Sequence, residues 1–469
     1  MADEDADRAL TEAALARAYD RAREYVAGRT DRPVWASAGA AALRESLGGP
    51  LPDQPTLPIA IVESLARAAE PGLVTTTGPR YFGFVTGGAL PAAMAADWLA
   101  AAWDQNAALY VMSPAASVVE EIAGAWLLDL LGLPPAASVA FTTGCHMANV
   151  TALAAARHEL LRRVGWDVEA RGLQAAPRLT AVVGDEVHVS VVGALRLIGI
   201  GSEALVRVPA DGQGRMRPDA LASTLERIDG PTIVCAQAGN VNTGAFDPFD
   251  SIADTCARHR AWLHVDGAFG LWAAASASLR VHVAGVSRAD SWATDAHKWL
   301  NVPYDSGLAF TAHPEAHRAA MSLDAAYLVR SPGEPREPMD WTPEASRRAR
   351  GFAVYAALRS LGRGGVAAMI ERCCALAKRF ANRLQSDPTI AILNEVVLNQ
   401  VLVRVDGSDA RTAETLRRVQ DERVCWLGGT TWHGTHAMRI SVSNWSTTDA
   451  DVDRSADAIL RAARRRDSA

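Results

Sequence analysis

The sequence predicts an α/β fold, with a large domain built on a mainly parallel seven-stranded sheet and a smaller C-terminal α+β domain. Three observations predict it. Between residues 81 and about 330, short β-branched runs alternate with helical stretches, the pattern of parallel strands joined by covering helices. Most of these runs end at Gly, Asn, Asp or His and lead into a helix, which suits a sheet that collects a ligand beyond the carboxyl ends of its strands. A segment rich in proline and charge, RSPGEPREPMDWTPE (330–344), then breaks the alternation.

Taken in order, residues 1–80 read as an N-terminal helical arm. Two helical patterns, ADRALTEAALARAYDRAREYVAG and PIAIVESLARAAE, flank connectors at DRPVWASAG and GGPLPDQP. The large domain is placed at 81–335, with strands expected at SVAFTT (138–143), LTAVVG (179–184), ALVRVP (204–209), PTIVCAQ (231–237), AWLHVD (261–266), DSWATD (290–295) and SGLAFT (306–311). The small domain is placed at 336–469. There, helical SRRARGFAVYAALRSLG and MIERCCALAKRFANRL give way to strand-like VVLNQVLVRV and AMRISVSNW and a last helix, DADVDRSADAILRAARRR.

A chain of 469 residues with 49% hydrophobic and 21% charged residues has the balance of a globular protein with more than one core. Its net charge of −6 leaves no global basic surface for nucleic acid or an anionic membrane. The acidic start MADEDADRAL lacks the basic and apolar parts of a secretory signal, and no apolar run reaches transmembrane length, so the expected location is cytoplasmic. Six cysteines, at 145, 235, 256, 373, 374 and 425, form no CxxC pair and no zinc-type spacing; they read as buried residues of a reducing compartment. No metal site is expected: His313 and His317 have i, i+4 spacing, but they read as a solvated loop or helix face without a third ligand.

Of the 47 basic residues only Lys298 and Lys378 are lysine. Where positive charge alone is wanted this chain uses arginine, so a retained lysine points to amine chemistry, which a guanidinium cannot perform. Lys378 lies in a helical pattern with the look of a solvated position, whereas Lys298 sits between His297 and Trp299 just past an expected strand.

Other strand ends supply complementary groups. In VAFTTGCHMANVTAL a Gly turn leads into a helix, so the amides of Gly144, Cys145 and His146 suit a phosphate, and equally an ordinary strand-to-helix turn. WLHVDGAFG delivers Asp266 at the end of a buried-looking strand, where a protonated ring nitrogen is a fitting partner and a loop or cap role is the plain alternative. His188, in GDEVHVSVVGAL, is placed to lie on one face of a flat ring with Ala268 on the other, although a lone histidine is more often structural. The conjunction is stronger than any member, and no P-loop, GxGxxG, GxSxG or HExxH competes with it.

HVDGAFG followed by ATDAHKWLNVPYDSG, with TTGCHMANVTAL and DEVHVSV upstream, resembles the group II pyridoxal-phosphate decarboxylases, a family that includes aromatic amino acid, glutamate and diaminobutyrate decarboxylases. The resemblance runs from about residue 75 to the C-terminus, including YFGFVTGG and WDQNAALYVMSPAASVVEE. It implies a fold type I enzyme that uses pyridoxal 5'-phosphate to decarboxylate an L-amino acid, with Lys298 as the Schiff-base lysine, Asp266 on the pyridine nitrogen and His188 stacked on the ring. Ala268 takes the other face; Gly144, Cys145, His146, Asn240 and His297 join the cofactor-binding set. Cys145 and His146 replace the small and hydroxyl residues frequent in the family's phosphate turn, and Asn240 stands where many relatives have Thr.

Family members are generally homodimers with the site at the subunit interface, so Tyr81 to Phe84 and Trp103 to Asn106 are candidates to act across it. In the mobile loop after AAYLVRS, where animal aromatic decarboxylases carry a proton-donating Tyr, the alignment gives Pro338, with no Tyr between Tyr327 and Tyr355. The donor is thereby unassigned, and Lys298 itself is a candidate. Two other outcomes stay open, a cofactor enzyme yielding an aldehyde or performing transamination or aldol-type cleavage, and a non-catalytic protein that kept the fold. Arg439 and Trp432, in the C-terminal domain, are candidate substrate contacts, though a strand arginine can equally face solvent.

Overall fold

A computed structural model of the chain describes residues 2–323 and 335–465. Seven strands, β1 (Ser138–Thr142), β2 (Thr180–Gly184), β3 (Val206–Val208), β4 (Thr232–Gln237), β5 (Trp262–Asp266), β6 (Ser291–Asp295) and β7 (Gly307–Thr311), form one sheet in the order β1-β7-β6-β5-β4-β2-β3. Only β7 runs against its neighbours; β6-β5-β4-β2-β3 are successively parallel. The expected and observed strands agree to within one or two residues; all but β3, at the sheet edge, are almost entirely buried, as expected of strands covered on both faces.

Alternation along the strands divides the interior into two cores. Val182, Val234, Leu263, Val265, Trp292 and Phe310 point into one, while Ala181, Val183, Ile233, Cys235 and Trp262 point into the other. The second is closed by the helices Cys145–Arg163 and Val189–Leu197, which pack on each other. Both helices therefore begin at the carboxyl-terminal edge of the sheet.

Four further strands, β8 (Ile390–Ile392), β9 (Gln400–Val405), β10 (Gly428–Trp432) and β11 (Thr435–Ser441), make a separate antiparallel sheet in the order β10-β11-β9-β8. The sequence shows β9 and β11; β8 has three residues and β10 has two glycines, so neither carries a strand pattern. The two helical patterns beyond residue 345 belong to one element, Gly351–Leu384, interrupted at Gly362, whose φ of 60° breaks the helical path.

At the N-terminus the helices Ala2–Gly28 and Pro58–Ala69 pack together, with Arg17 and Arg21 both paired to Glu63. A short helix, Ala40–Leu47, lies between the two expected connectors; it is Ala/Leu/Arg/Glu-rich and has no buried residue to give it a visible apolar stripe. Among the described residues, no helix is long and apolar enough to cross a membrane.

Candidate active site

Strand β5 ends at Asp266, which is buried. Its Oδ1 accepts a hydrogen bond from the Ala268 amide at 3.1 Å and from the Cys145 thiol at 3.3 Å. Its Oδ2 has no hydrogen-bond donor among the described residues, and Asp266 and His188 line one cavity at the ends of β2, β4 and β5. A buried carboxylate with one oxygen left open is a costly arrangement without a cationic or N–H partner, and a protonated ring nitrogen supplies one.

The neighbouring strand β6 ends at Asp295, also buried, three residues before Lys298. Lys298 Nζ stands 2.9 Å from Asp295 Oδ2. Burial by itself pulls the lysine's pKa down; the Asp295 charge, then Cys145, the Asp295 hydrogen bond and Asp266, overturn that and hold it above the ordinary lysine value. Asp295 Oδ1 accepts from the Cys145 amide at 2.6 Å, the N-terminus of the helix Cys145–Arg163, and lies 3.2 Å from His297 Nε2. His297 Nδ1 in turn accepts from the Ser306 amide at 3.1 Å, and the Tyr304 ring packs on the imidazole with centroids 4.3 Å apart.

His188 caps the helix Val189–Leu197: its Nδ1 accepts from the Ser190 amide at 3.3 Å and stands 2.7 Å from the Ser190 hydroxyl, which fixes the ring's orientation. Burial, followed by the positive charges of Lys298 and Arg439, lowers its pKa against the pull of Asp266, so the ring is held neutral. Ala268 ties the two aspartates together, since its amide binds Asp266 and its carbonyl accepts from the Asp295 amide at 2.9 Å. It packs on a cluster of small residues, Ala140, Cys145, Ala148, Ala293 and Ala309, which leaves the floor of the site low and flat.

Arg439, on β11, does not lie on a solvated face. It is partly buried, has no hydrogen bond or ion pair from its side chain among the described residues, and burial lowers its pKa. Its charge acts on His188, so the second sheet contributes a cation to the same region. Trp432 is buried and stacks on His433 at 4.2 Å.

Other expected residues have more local partners. Asn240 Oδ1 accepts from the amides of Asn242 and Thr243, at 2.9 and 3.2 Å, holding its own turn, and its Nδ2 is buried without a partner. The His146 side chain is exposed and lies beside Gly193, where an added Cβ would stand 3.0 Å from its Nε2. Gly144 sits where a Cβ would meet His297 Cε1 at 3.3 Å and Asp295 Oδ1 at 3.5 Å. The turn is therefore narrow, and its first helical amide already has an anion on it. Phe84 and Trp103 are exposed, whereas Tyr81 and Phe82 are buried.

Pro338 is buried in the 3-10 turn Pro338–Trp341, held to the body by the Met339 amide on the Ala108 carbonyl at 2.9 Å. The loop from Ala325 to Ser331, with Tyr327, lies outside the described residues. His317 is no solvated residue: it is fully buried between Ser138 Oγ and the Trp341 carbonyl, at 2.8 and 2.9 Å, while His313 binds Asp290. The helix Pro314–Met321 carries His317 on its apolar face, which i, i+4 spacing alone does not disclose. No group of three or more His, Cys, Asp or Glu suited to a metal occurs among the described residues.

Four residues of this region have roles that the sequence does not disclose. Asp295 precedes the lysine by three positions, but its partners Cys145 and Lys298 are 150 residues apart or hidden until β6 is in place. Asn301, with φ of 55°, binds the Gly88 amide and the Trp445 amide through Oδ1, and the Trp299 and Ser443 carbonyls through Nδ2. Gly87 passes so close to the Lys298 carbonyl that a Cβ there would come within 1.8 Å of it. Arg347, fully buried, donates to the Ala107 and Phe141 carbonyls at 2.7 Å each and pairs with Glu120.

Residues 42–406 match the pyridoxal-dependent decarboxylase conserved domain. The chain belongs to the pyridoxal-dependent decarboxylase family. Among curated relatives it is 30% identical over 335 residues to the acidic amino acid decarboxylase GADL1 of Xenopus tropicalis, covering 69% of this chain and 64% of that protein. It is 28% identical over 421 residues to the aromatic-L-amino-acid decarboxylase of Mus musculus, covering 86% and 87%. The fold is that of the Oryza sativa TDC structure with PLP and tryptamine (TM-score 0.89, 24% identity, 97% of each chain) and of mouse CSAD (TM-score 0.88, 22% identity, 98% of each chain). The chain thus joins the pyridoxal-phosphate-dependent amino-acid decarboxylases, and the open oxygen of Asp266, the neutral ring of His188 and the buried amine of Lys298 fit that family's cofactor.

Proposed function

We propose that this chain is a pyridoxal-phosphate-dependent carboxy-lyase acting on an L-amino acid, with Lys298, Asp266 and His188 as its catalytic residues. The observation that carries the reading is the convergence of Lys298, Asp266 and His188 on one edge of the sheet in a chain with only one other lysine. Pyridoxal phosphate, when bound, supplies an electron sink for the pair left behind as carbon dioxide departs.

The protein's own residues do the rest. Asp266, buried, would offer Oδ2 to the ring nitrogen and keep a proton there. His188, locked by Ser190, presents a flat neutral face; Ala268 and its small neighbours leave room on the other side. Gly144, Cys145, His146 and His297 would hold the phosphate, and Asn240 steadies its own turn through the Asn242 and Thr243 amides. Arg439, with no ion pair among the described residues, would offer its cation to a carboxylate. Lys298 Nζ, an ammonium by virtue of Asp295, would hold the proton that Cα takes up after the carboxylate is lost.

The domain division at 80 and 335 is supported by the separateness of the two sheets. A homodimer is supported by the exposed apolar side chains Phe84, Trp103, Val111 and Met112. Six unpaired cysteines support a reducing, cytoplasmic location. Incubation with a panel of L-amino acids, with products identified by mass spectrometry with and without oxygen, tests the activity. Carbon dioxide and the matching amine are expected from at least one substrate; release of carbon dioxide from none ends the reading.

A further inference from the structure

We propose that Asp295 is a resident competitor for the cofactor's phosphate, so that loading the site requires the phosphate to displace it from the helix end. The inference rests on the reading of this edge as the pyridoxal-phosphate site. Asp295 Oδ1 takes the amide of Cys145, the first donor of a 19-residue helix, at 2.6 Å, and Oδ2 takes Lys298 Nζ at 2.9 Å. One buried carboxylate thereby occupies both features that a phosphorylated aldehyde needs, the helix N-terminus for its anion and the amine for its carbonyl carbon. The turn has no slack to hold two anions side by side, because Gly144 already lies within 3.5 Å of Asp295 Oδ1 by the position of an added Cβ, and Gly307 packs onto the Gly144 backbone.

Two anions on one helix end repel each other. A like charge sharing one site disfavours the second anion, an effect on the order of one power of ten in an ionic equilibrium. Asp295 therefore weakens cofactor binding while it steadies the empty protein, by capping the helix and by compensating the Lys298 ammonium. An amide in its place keeps the hydrogen-bond acceptor for Cys145 and removes the charge.

The test is equilibrium titration of full-length protein, stripped of cofactor, with pyridoxal phosphate, with pyridoxal and with inorganic phosphate, for the native chain, Asp295→Asn and Asp295→Ser. Expected are a gain in affinity of about tenfold or more for pyridoxal phosphate and for inorganic phosphate in both variants, a smaller gain for pyridoxal, which needs only the amine, and a lower melting temperature for the cofactor-free variants. Weaker or unchanged binding of pyridoxal phosphate by either folded variant overturns the proposal, as does an equal gain for pyridoxal. Failure of the native chain to bind pyridoxal phosphate at all overturns the reading of the site as well; normal native binding with unchanged variants overturns the Asp295 proposal alone.

Discussion

The Cys145 thiol donates to Asp266 Oδ1 across 3.3 Å while the amide of the same residue donates to Asp295 Oδ1 across 2.6 Å, so one residue orients both aspartates of the site. Only the thiol bond is lost on side-chain truncation. Cys145→Ala should leave Asp266 held by Ala268 and cost about 1 kcal/mol of stability, with turnover reduced by less than about tenfold. A loss of on the order of a hundredfold would mean that the thiol itself takes part in the reaction.

Removal of the lysine is the sharpest test of the site. Lys298→Ala should abolish the visible absorbance of bound cofactor and all turnover, since the other lysine, Lys378, lies exposed on the helix Gly351–Leu384. Persistence of both signals would move the amine elsewhere.

Asp266→Asn keeps the shape and removes the charge. It should retain bound cofactor and lower kcat by on the order of 10²-fold or more, as expected for a preorganised charge acting on the reacting electrons. A change confined to KM would assign Asp266 to substrate binding instead.

Tyr304 is the tyrosine that packs on His297, and with an ordinary pKa of about 10 a phenol is an O–H group at neutral pH. With Lys298 as the proton source, Tyr304→Phe should still give the amine, with turnover within about tenfold of the native enzyme. Aldehyde and peroxide as the main products would assign the proton to Tyr304.

Stability should fall as the solution is acidified below the ordinary histidine range. Burial lowers His264 to about 4 and His317 to about 3, whereas both return to about 6.5 on unfolding. Their contribution is fully present above pH about 6.5 and is lost as the pH drops through their folded values, because the unfolded chain takes up protons that the folded one refuses. Melting temperatures measured from pH 7 to 4 should decline, and His317→Asn should flatten the decline; an unchanged slope in that variant would contradict its burial as the neutral form.

Much of this was legible in the sequence because the relevant signals are local. Each strand of the large sheet is a short apolar run ending in a turn residue, so Asp266, His188 and Lys298 were found by their place at strand ends. Asp295 stood equally at a strand end but read as part of the lysine motif, since nothing local marks a carboxylate whose partners come from another helix. Asn301 and Arg347 depend on segments more than 100 residues away, and strands β8 and β10 are too short or too glycine-rich for alternation to show. His317 was misread because a histidine paired to one hydroxyl and one carbonyl looks, by spacing alone, like any histidine on a helix.

The knot of hydrogen bonds at Asn301 has a bearing on biosynthesis. It joins the Gly88 segment, the lysine turn and the Ser443–Trp445 segment, so the lysine turn reaches its final shape only when residues near position 445 are in place. Every strand of the large sheet is synthesised before residue 312, whereas Asn301 finds its last partner 144 residues further along the chain.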